Sequence, residues 1–257
     1  MKGGGGPPFI TPLRFRPEAQ ITGGKDLDDE LLSLLRMVDT PTVCNAIEVA
    51  QGKRGFDAFT RGTVVSSAPA SPPAVGYART AKIAAAAPSS EDPAIIRARR
   101  MDYYRHMASG GPPSVAVIED TDFPHCVGAF WGEINATVHR GLGLSGVLTN
   151  GVMRDLGDVP EDFPMVAGSI GPSHAFVHVE AIGVPVTVFG LTVAPGDLVH
   201  ADRHGAVVVP PEAIPVLAAS IGKLRATERL ILEPARQEGF DLAKFEEAWA
   251  RFEAART

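Results

Sequence analysis

The sequence predicts an α/β fold, on three observations. Leucines near the N-terminus recur at helical spacing, short apolar runs rich in Val recur between Gly and Pro punctuation, and helical stretches alternate with those runs. Strand signals then crowd the second half without helices between all of them, so the sheet need not be purely parallel. The 257 residues suit one large domain with terminal extensions, taking about 150 residues per domain as a soft prior. At 45% hydrophobic and 21% charged, the chain can bury a sizeable core.

Residues 1–25 are rich in Gly and Pro with no sustained period and read as a flexible arm. From Asp26, "DLDDELLSLLRMV" sets Leu27, Leu31, Leu32, Leu34 and Leu35 at helical spacing behind an acidic first turn that suits the helix dipole. In "DTPTVCNAIEVAQG", Thr40 can cap, Pro41 fits the first helical position and Gly52 supplies the stop of a second short helix. Strands are expected at 62–66 and 77–85, followed by a helix from about Asp92 to Met107 that Gly110-Gly111-Pro112-Pro113 ends. "SVAVIED" reads as a strand, "VGAFWGEINATVHRG" as one helix, and "GVLTN", "PMVAG" and "VPVTVFG" as strands. A hairpin-like pair, "DLVHAD" and "GAVVVP", precedes two C-terminal helices, Pro211 to about Glu233 and Leu242 to about Ala255. The charged face of "EEAWARFEAAR" marks the last of these as amphipathic, packed on the domain or on a neighbouring subunit.

Charge narrows the partners. A net charge of −6 and a pI near 5.6 leave no broad basic face for phosphates, so no nucleic-acid partner is expected. Apolar stretches such as Ala213 to Ile221 fall short of the roughly 20 residues of a spanning helix. "MKGGGGPPFI" has a Lys but no apolar run behind it, unlike a signal peptide. No membrane partner and a cytoplasmic location are the expectations. Cys44 and Cys126 are too few for a disulfide framework and form no C-x-x-C pair, so both are expected reduced and partly buried.

Three motifs look chemical and do not carry it. "GLGLSG" (141–146) matches G-x-G-x-x-G, yet a helix precedes it and a strand follows, the reverse of the dinucleotide-binding order; the glycines read as a helix stop and a tight connection. "HADRH" places His200, Asp202 and His204 two apart, but turns flank it, and solvated side chains are the better expectation than a metal site. His174 and His178 in "SHAFVHVE" are expected at the surface or satisfied in the core rather than lining a pocket.

"NGVMRDLGDV" (150–159) is different. An Asn-Gly turn after an apolar run puts Arg154 and Asp155 just past a strand's C-terminal end, where ligands bind in open α/β folds. Glu133 in "WGEIN" lies upstream with twenty residues between it and Arg154, enough for a helix, a connection and a strand to return to the same end of the sheet. A carboxylate with free helix amides around Gly132 to Asn135, a planar guanidinium and a second carboxylate then converge. That set suits an anionic substrate gripped by amides and Arg154, with Asp155 offering oxygen to Mg²⁺ or Mn²⁺. The competing reading is a surface Arg-Asp pair worth about 0 to 1 kcal/mol. Spacing alone leaves both open.

"GEIN", twenty intervening residues, "RD" and "RDLGD" resemble the Asp/Glu-x20-Arg-Asp and Arg-Asp-x2-Glu/Asp signatures of the RraA-like family. That family includes the 4-hydroxy-4-methyl-2-oxoglutarate aldolases and regulators of ribonuclease activity. "TPTVCNAIE", "GYARTAK", "GVLTNGVMRD", "APGDLVHAD" and "GAVVVPPE" support the resemblance, in order, from about Asp39 to Glu212. It implies a swivelling β/β/α domain over 26–212 with a C-terminal helical extension over 213–257, assembled as a trimer or hexamer with sites between subunits. It further implies that the amides of Gly132, Glu133, Ile134 and Asn135 and the guanidinium of Arg154 bind a pyruvyl unit. Asp155 would hold Mg²⁺, Mn²⁺ or another divalent cation, partly through water, Glu133 would order a water near the reacting centre, and Asp158 would orient Arg154 or a metal-bound water. The implied activity is a metal-dependent aldolase cleaving a 4-hydroxy-2-oxo acid to pyruvate, with oxaloacetate decarboxylation beside it. A non-catalytic regulator of ribonuclease E type is the alternative, and a different enzyme of 2-oxo or hydroxy acids a third. Asn45 and Asn150 stand where the family often carries Asp.

Overall fold

In the computed structural model, residues 27–256 are described; the expected arm at 1–25 lies outside them. Two short helices open the fold. α1 (Asp29–Leu35) is capped by the Asp28 carboxylate, which accepts from the Leu31 amide at 2.7 Å, and Asp29 and Glu30 fill its first turn. α2 (Thr40–Gln51) ends at Gly52 with φ +64°, as the sequence predicts, but its cap is Asp39 rather than Thr40: Asp39 accepts from the Thr42 amide at 3.0 Å. Thr40 is thereby free to turn inward.

The main sheet is built around β2 (Ala74–Ala84), with β3 (Ser114–Asp120), β5 (Leu144–Thr149) and β7 (Met165–Ala167) following in parallel on one side. β1 (Val65–Ser66) closes that edge antiparallel to β7. On its other side β2 is long enough to take two partners. Ala74 to Tyr77 pair with β12 (Leu198–Asp202), which continues into β13 (Gly205–Val209), and Ala81 to Ala84 pair with β9 (His178–Ile182). The mixed sheet and the β12–β13 hairpin agree with the sequence prediction. β9 has no counterpart there, because its intermediate burial hides any alternation.

α3 (Pro93–Ala108) crosses from β2 to β3, its first turn capped by Asp92. Tyr103 and Met107 bury its apolar side with Trp131, Phe163 and Met165. The opposite face of the sheet is covered by β10 (Val186–Val188) and β11 (Leu191–Val193). The strand expected from "VPVTVFG" is β10, and β11 after it is an addition the sequence reading did not make: Phe189 and Gly190 take φ +50° and +76°, the primed-turn geometry that matches strand twist, and turn the chain back into a hairpin.

A second correction matters more for function. "VGAFWGEINATVHRG" is not one helix. Ala129 to Trp131 form β4, in a small parallel sheet with β6 (Val152–Met153) and β8 (Ser169–Ile170), and only Glu133–Gly141 form α4. The apolar triplet Ala129, Phe130 and Trp131 is buried on every side, which a helix at the surface does not permit. "GLGLSG" is the connection from α4 to β5, with Gly143 at φ +89°, as its order predicts.

At the C-terminus, Pro210 to Ala213 turn, Ile214 to Val216 form a single 3₁₀ turn, and α5 (Leu217–Ala235) and α6 (Leu242–Arg256) follow. The long helix therefore begins later than Pro211. Leu217 and Ile221 share a core with Val43, Ile47 and Val207, so α5 seals the β12–β13 side of the sheet against α2.

Candidate functional site

The parallel strands end together at one edge of the sheet, and the candidate site is built beyond it by β4 and β6. β4 runs into Gly132, which caps α4 in extended conformation (φ −164°) without any side-chain hydrogen bond. β6 runs into Arg154, whose amide donates to the Trp131 carbonyl at 2.9 Å. This pairing brings the first turn of α4 against the Arg154-Asp155 step. Asp155 Oδ2 accepts from the Glu133 amide at 3.2 Å, and Arg154 Nε lies 3.3 Å from that same oxygen. The side chains of Arg154 and Asp155 are 33% and 34% exposed, so the pair is neither buried nor freely solvated.

Two backbone features fix the arrangement. A Cβ on Gly132 would lie 2.4 Å from Asp155 Oδ2 and 3.0 Å from Arg154 Cγ, so Gly leaves the space in which the Asp155 carboxylate reaches the Glu133 amide. Asp155 sits at φ +57°, a left-handed conformation that Asp tolerates better than most residues. Helix geometry leaves the first amides of α4 without a carbonyl partner inside the helix, and the dipole makes that end positive. Glu133 gives its amide to Asp155; the helix itself offers no partner to those of Ile134 and Asn135.

The remaining site residues divide. The Glu133 side chain is exposed beside this turn and Ile134 is 73% exposed. Asn135 turns its side chain inward, where Oδ1 accepts from Tyr104 Oη at 2.6 Å and Nδ2 donates to the Phe130 carbonyl. Asp158 closes the turn through its amide, which donates to the Asp155 carbonyl at 2.9 Å. Its carboxylate is exposed and forms no ion pair with Arg154 among the described residues.

Behind the site, Asn150 is a strut. Its Oδ1 accepts from the Asp120 amide at 2.7 Å and its Nδ2 donates to the Asp120 carbonyl at 3.1 Å, tying the ends of β3 and β5 together. An ionised Asp has no donor for the second bond. Asp120 itself is fully buried, its Oδ2 finds no hydrogen-bond partner among the described residues, and burial raises its carboxyl above the ordinary range. Asp120 was not singled out in the sequence; an acidic residue ending the apolar strand "SVAVIED" was the available signal. Asn45 lies exposed on α2, and nothing in the structure connects it to this site.

The other chemical-looking motifs resolve as structure. His200 and Asp202 are buried rather than solvated, a correction of the sequence expectation: Thr40, freed by the Asp39 cap, meets His200 Nδ1 at 2.9 Å through its hydroxyl and donates its amide to Asp202 at 2.9 Å. Only His204, paired with Asp202 at 3.1 Å, reaches solvent. His174 and His178 each place Nδ1 against a nearby backbone carbonyl. Cys44 and Cys126 are unpaired and partly buried, and burial pushes their thiols up to about 11 and about 12, which removes thiolate chemistry at neutral pH.

A divalent cation fits this site only in one manner. Among the described residues no group of three or more His, Cys, Asp or Glu side chains gathers, so an all-protein cage is not on offer. Asp155 has one carboxylate oxygen committed to Glu133 and Arg154, and among the described residues the other accepts no hydrogen bond. One carboxylate, with water and substrate oxygens completing the shell, is a normal donor set for Mg²⁺.

Known proteins resemble this chain in sequence and in fold. A protein of Methanocaldococcus jannaschii described as uncharacterized is 30% identical over 107 residues, covering 41% of this chain and 51% of that protein. A protein of Halalkalibacterium halodurans, provisionally named a 4-hydroxy-4-methyl-2-oxoglutarate aldolase, is 28% identical over 138 residues, covering 53% and 59% respectively. The chain thus spans between about half and three-fifths of these curated relatives. Among solved structures, an uncharacterized protein from Pseudomonas syringae pv. tomato superposes with a TM-score of 0.65 at 24% identity, over 89% of this chain and 96% of that one. Streptomyces coelicolor RraAS2, described as an unusual member of the RNase ES inhibitor RraA protein family, gives 0.59 at 24% identity, over 82% and 98%. These likenesses establish the fold. The family model described as RraA-like, Aldolase/RraA, matches residues 40–208, which span β2 to β12, α4 and the Arg154-Asp155 step, and on that match the chain belongs to the RraA-like family.

Proposed function

We propose that the protein is a divalent-cation-dependent carbon-carbon lyase that cleaves a 4-hydroxy-2-oxo acid to pyruvate and a second carbonyl compound, and that also decarboxylates oxaloacetate. The observation that carries this reading is the shared contact of Glu133, Arg154 and Asp155 across the space that Gly132 leaves open. The family includes both aldolases and ribonuclease inhibitors, and a regulator has no need of this contact. The provisional name of the Halalkalibacterium relative supports the same choice.

The chain's residues divide the work as follows. The α4 amides and the Arg154 guanidinium bind the substrate carboxylate, and Arg154 also faces the 2-oxo oxygen as it gains charge. Asp155 holds the cation, which when bound supplies Lewis acidity to the 2-oxo acid. Glu133, through an ordered water, takes the proton from the C4 hydroxyl; the C3–C4 bond then breaks, its electron pair forming the pyruvate enolate, and a proton returned to C3 completes pyruvate. Loss of CO₂ from oxaloacetate leaves the same enolate, so one set of groups serves both reactions. Asp158 keeps the loop after Asp155 closed through its backbone.

The site on one chain is an open shelf. Two clefts elsewhere on the chain, of about 290 and 530 Å³, are lined by neither Arg154 nor Asp155. Ile134 and Val138, one turn apart on α4, and Leu156 beside Asp155 expose apolar side chains next to the shelf. Cover by further copies in a homotrimer or hexamer suits both features. No helix of the described residues is long and apolar enough to cross a membrane, and a cytoplasmic location suits the two unpaired cysteines.

The test is pyruvate release from oxaloacetate and from 4-hydroxy-2-oxo acids, with Mg²⁺ or with EDTA. Release that requires the cation and drops on the order of 10²-fold or more in Arg154→Ala is expected, since ground-state binding and enolate stabilisation are lost together. No pyruvate from any of these acids, with tight binding to a ribonuclease, sinks the lyase in favour of the regulator.

A further inference from the structure

The amide end of α4 lacks the device that normally holds such an end in place. Its cap residue is Gly132, and no side chain bonds to the first turn from the cap position. A Ser, Thr or Asp cap there would take the space in which the Asp155 carboxylate reaches the Glu133 amide. The first turn nevertheless has to be held still if its amides are to bind a carboxylate.

α3 supplies the hold through two consecutive tyrosines. Tyr104 Oη donates to Asn135 Oδ1 at 2.6 Å, and Asn135 Nδ2 donates back to the carbonyl of Phe130 in β4. Tyr103, fully buried, donates through its hydroxyl to His139 Nε2 at 2.7 Å. His139 Nδ1 lies 2.6 Å from the Asn135 carbonyl. These bonds fix the tautomer: a neutral imidazole with hydrogen on Nδ1 donates to Asn135 and accepts from Tyr103. The side chain and the carbonyl of Asn135 are therefore both anchored to α3, one directly and one through His139. Asn135 occupies the third helical position, so its own amide belongs to the ligand-facing set.

We propose that Tyr104 is a positioning residue: through Asn135 it replaces the missing cap and sets the direction of the α4 amides that receive the substrate carboxylate. This rests on the lyase reading above for the identity of the ligand, while the latch stands on geometry alone. A residue that only filled space would be replaced by Phe without consequence, since the rings are isosteric. One that positions amides used in ground-state binding alters substrate affinity more than turnover.

The experiment compares wild type, Tyr104→Phe and the distant control Tyr77→Phe, using hydrogen exchange of the 133–136 amides, calorimetric binding of oxalate with Mg²⁺, and oxaloacetate kinetics. Tyr104→Phe is expected to speed exchange in 133–136, to weaken oxalate about three- to tenfold and to raise KM by a similar factor with kcat within about twofold, the loss of one neutral hydrogen bond. Asn135→Ala is expected to reproduce the exchange result. Unchanged exchange and affinity in Tyr104→Phe overturn the proposal, and so does a fall in kcat with KM unmoved. A wild-type protein that neither binds oxalate nor releases pyruvate refutes the lyase reading instead, and exchange in 133–136 then decides the latch by itself.

Discussion

His139 makes stability fall in mild acid, by an amount the structure gives. The ring is fully buried against Tyr103, Tyr104 and Trp131, with no carboxylate among its hydrogen-bond partners. Burial pushes its pKa from 6.5 down to about 4, only partly offset by the bond to the Asn135 carbonyl. The folded state therefore binds its proton more weakly than the unfolded state. The stability held by the neutral ring is complete above pH 6.5 and is lost as pH falls toward 4. At about 1.36 kcal/mol per pH unit, the full window is worth about 3 kcal/mol, and most of it is gone by about pH 4.5. The neighbouring tyrosines do not share the window, because burial raises both of their pKa values. His200, also lowered by burial, contributes alike to wild type and to a His139 variant. The assay is urea unfolding at fixed protein concentration, at pH 7.5 and pH 4.5, of wild type and His139→Asn, which keeps a donor for Asn135 and cannot titrate. The gap between the two proteins is expected to narrow by about 2 to 3 kcal/mol on acidification. Parallel losses in both proteins refute a neutral buried His139.

Two further outcomes follow from the site. Gly132→Ala is expected to cut pyruvate release on the order of 10²-fold with little change in Tm, because the extended backbone accepts Ala while the new Cβ displaces Asp155 from Glu133; normal activity would show that this contact is idle. Asn150→Asp is expected to cost about 1 to 3 kcal/mol at pH 7.5 by urea unfolding, from the Asp120 carbonyl left without its donor. The cost shrinks at pH 5 as the new carboxyl gains a proton to donate, and a pH-independent cost would contradict the strut.

Read from the chain alone, the site depended on a distance. Twenty residues between Glu133 and Arg154 are a property of sequence, and the structure turns them into a contact because α4 and β5 return the chain to the edge where β4 ended. The helix expected across 127–141 shows the limit of the same reasoning. Ala129, Phe130 and Trp131 are apolar on both sides of any short period, and only pairing with β6 decides that they form a strand. The hairpin of β10 and β11 was hidden for a related reason: Phe189 gives no sign in advance that it will take positive φ.

Local chemistry by itself determined the α/β class, the Gly52 stop of α2, the β12–β13 hairpin, the direction of the 141–146 connection and the candidate residues Glu133, Arg154 and Asp155. These rest on interactions within a few residues or on a periodicity that burial imposes. Tertiary structure alone decided that Asn135 is anchored by Tyr104, that Asn150 braces Asp120, and that Thr40 binds His200 and Asp202. Each of these bonds joins residues at least 30 positions apart, whose meeting is set by strand order and helix crossing; a polar side chain does not encode its partner, only its need for one.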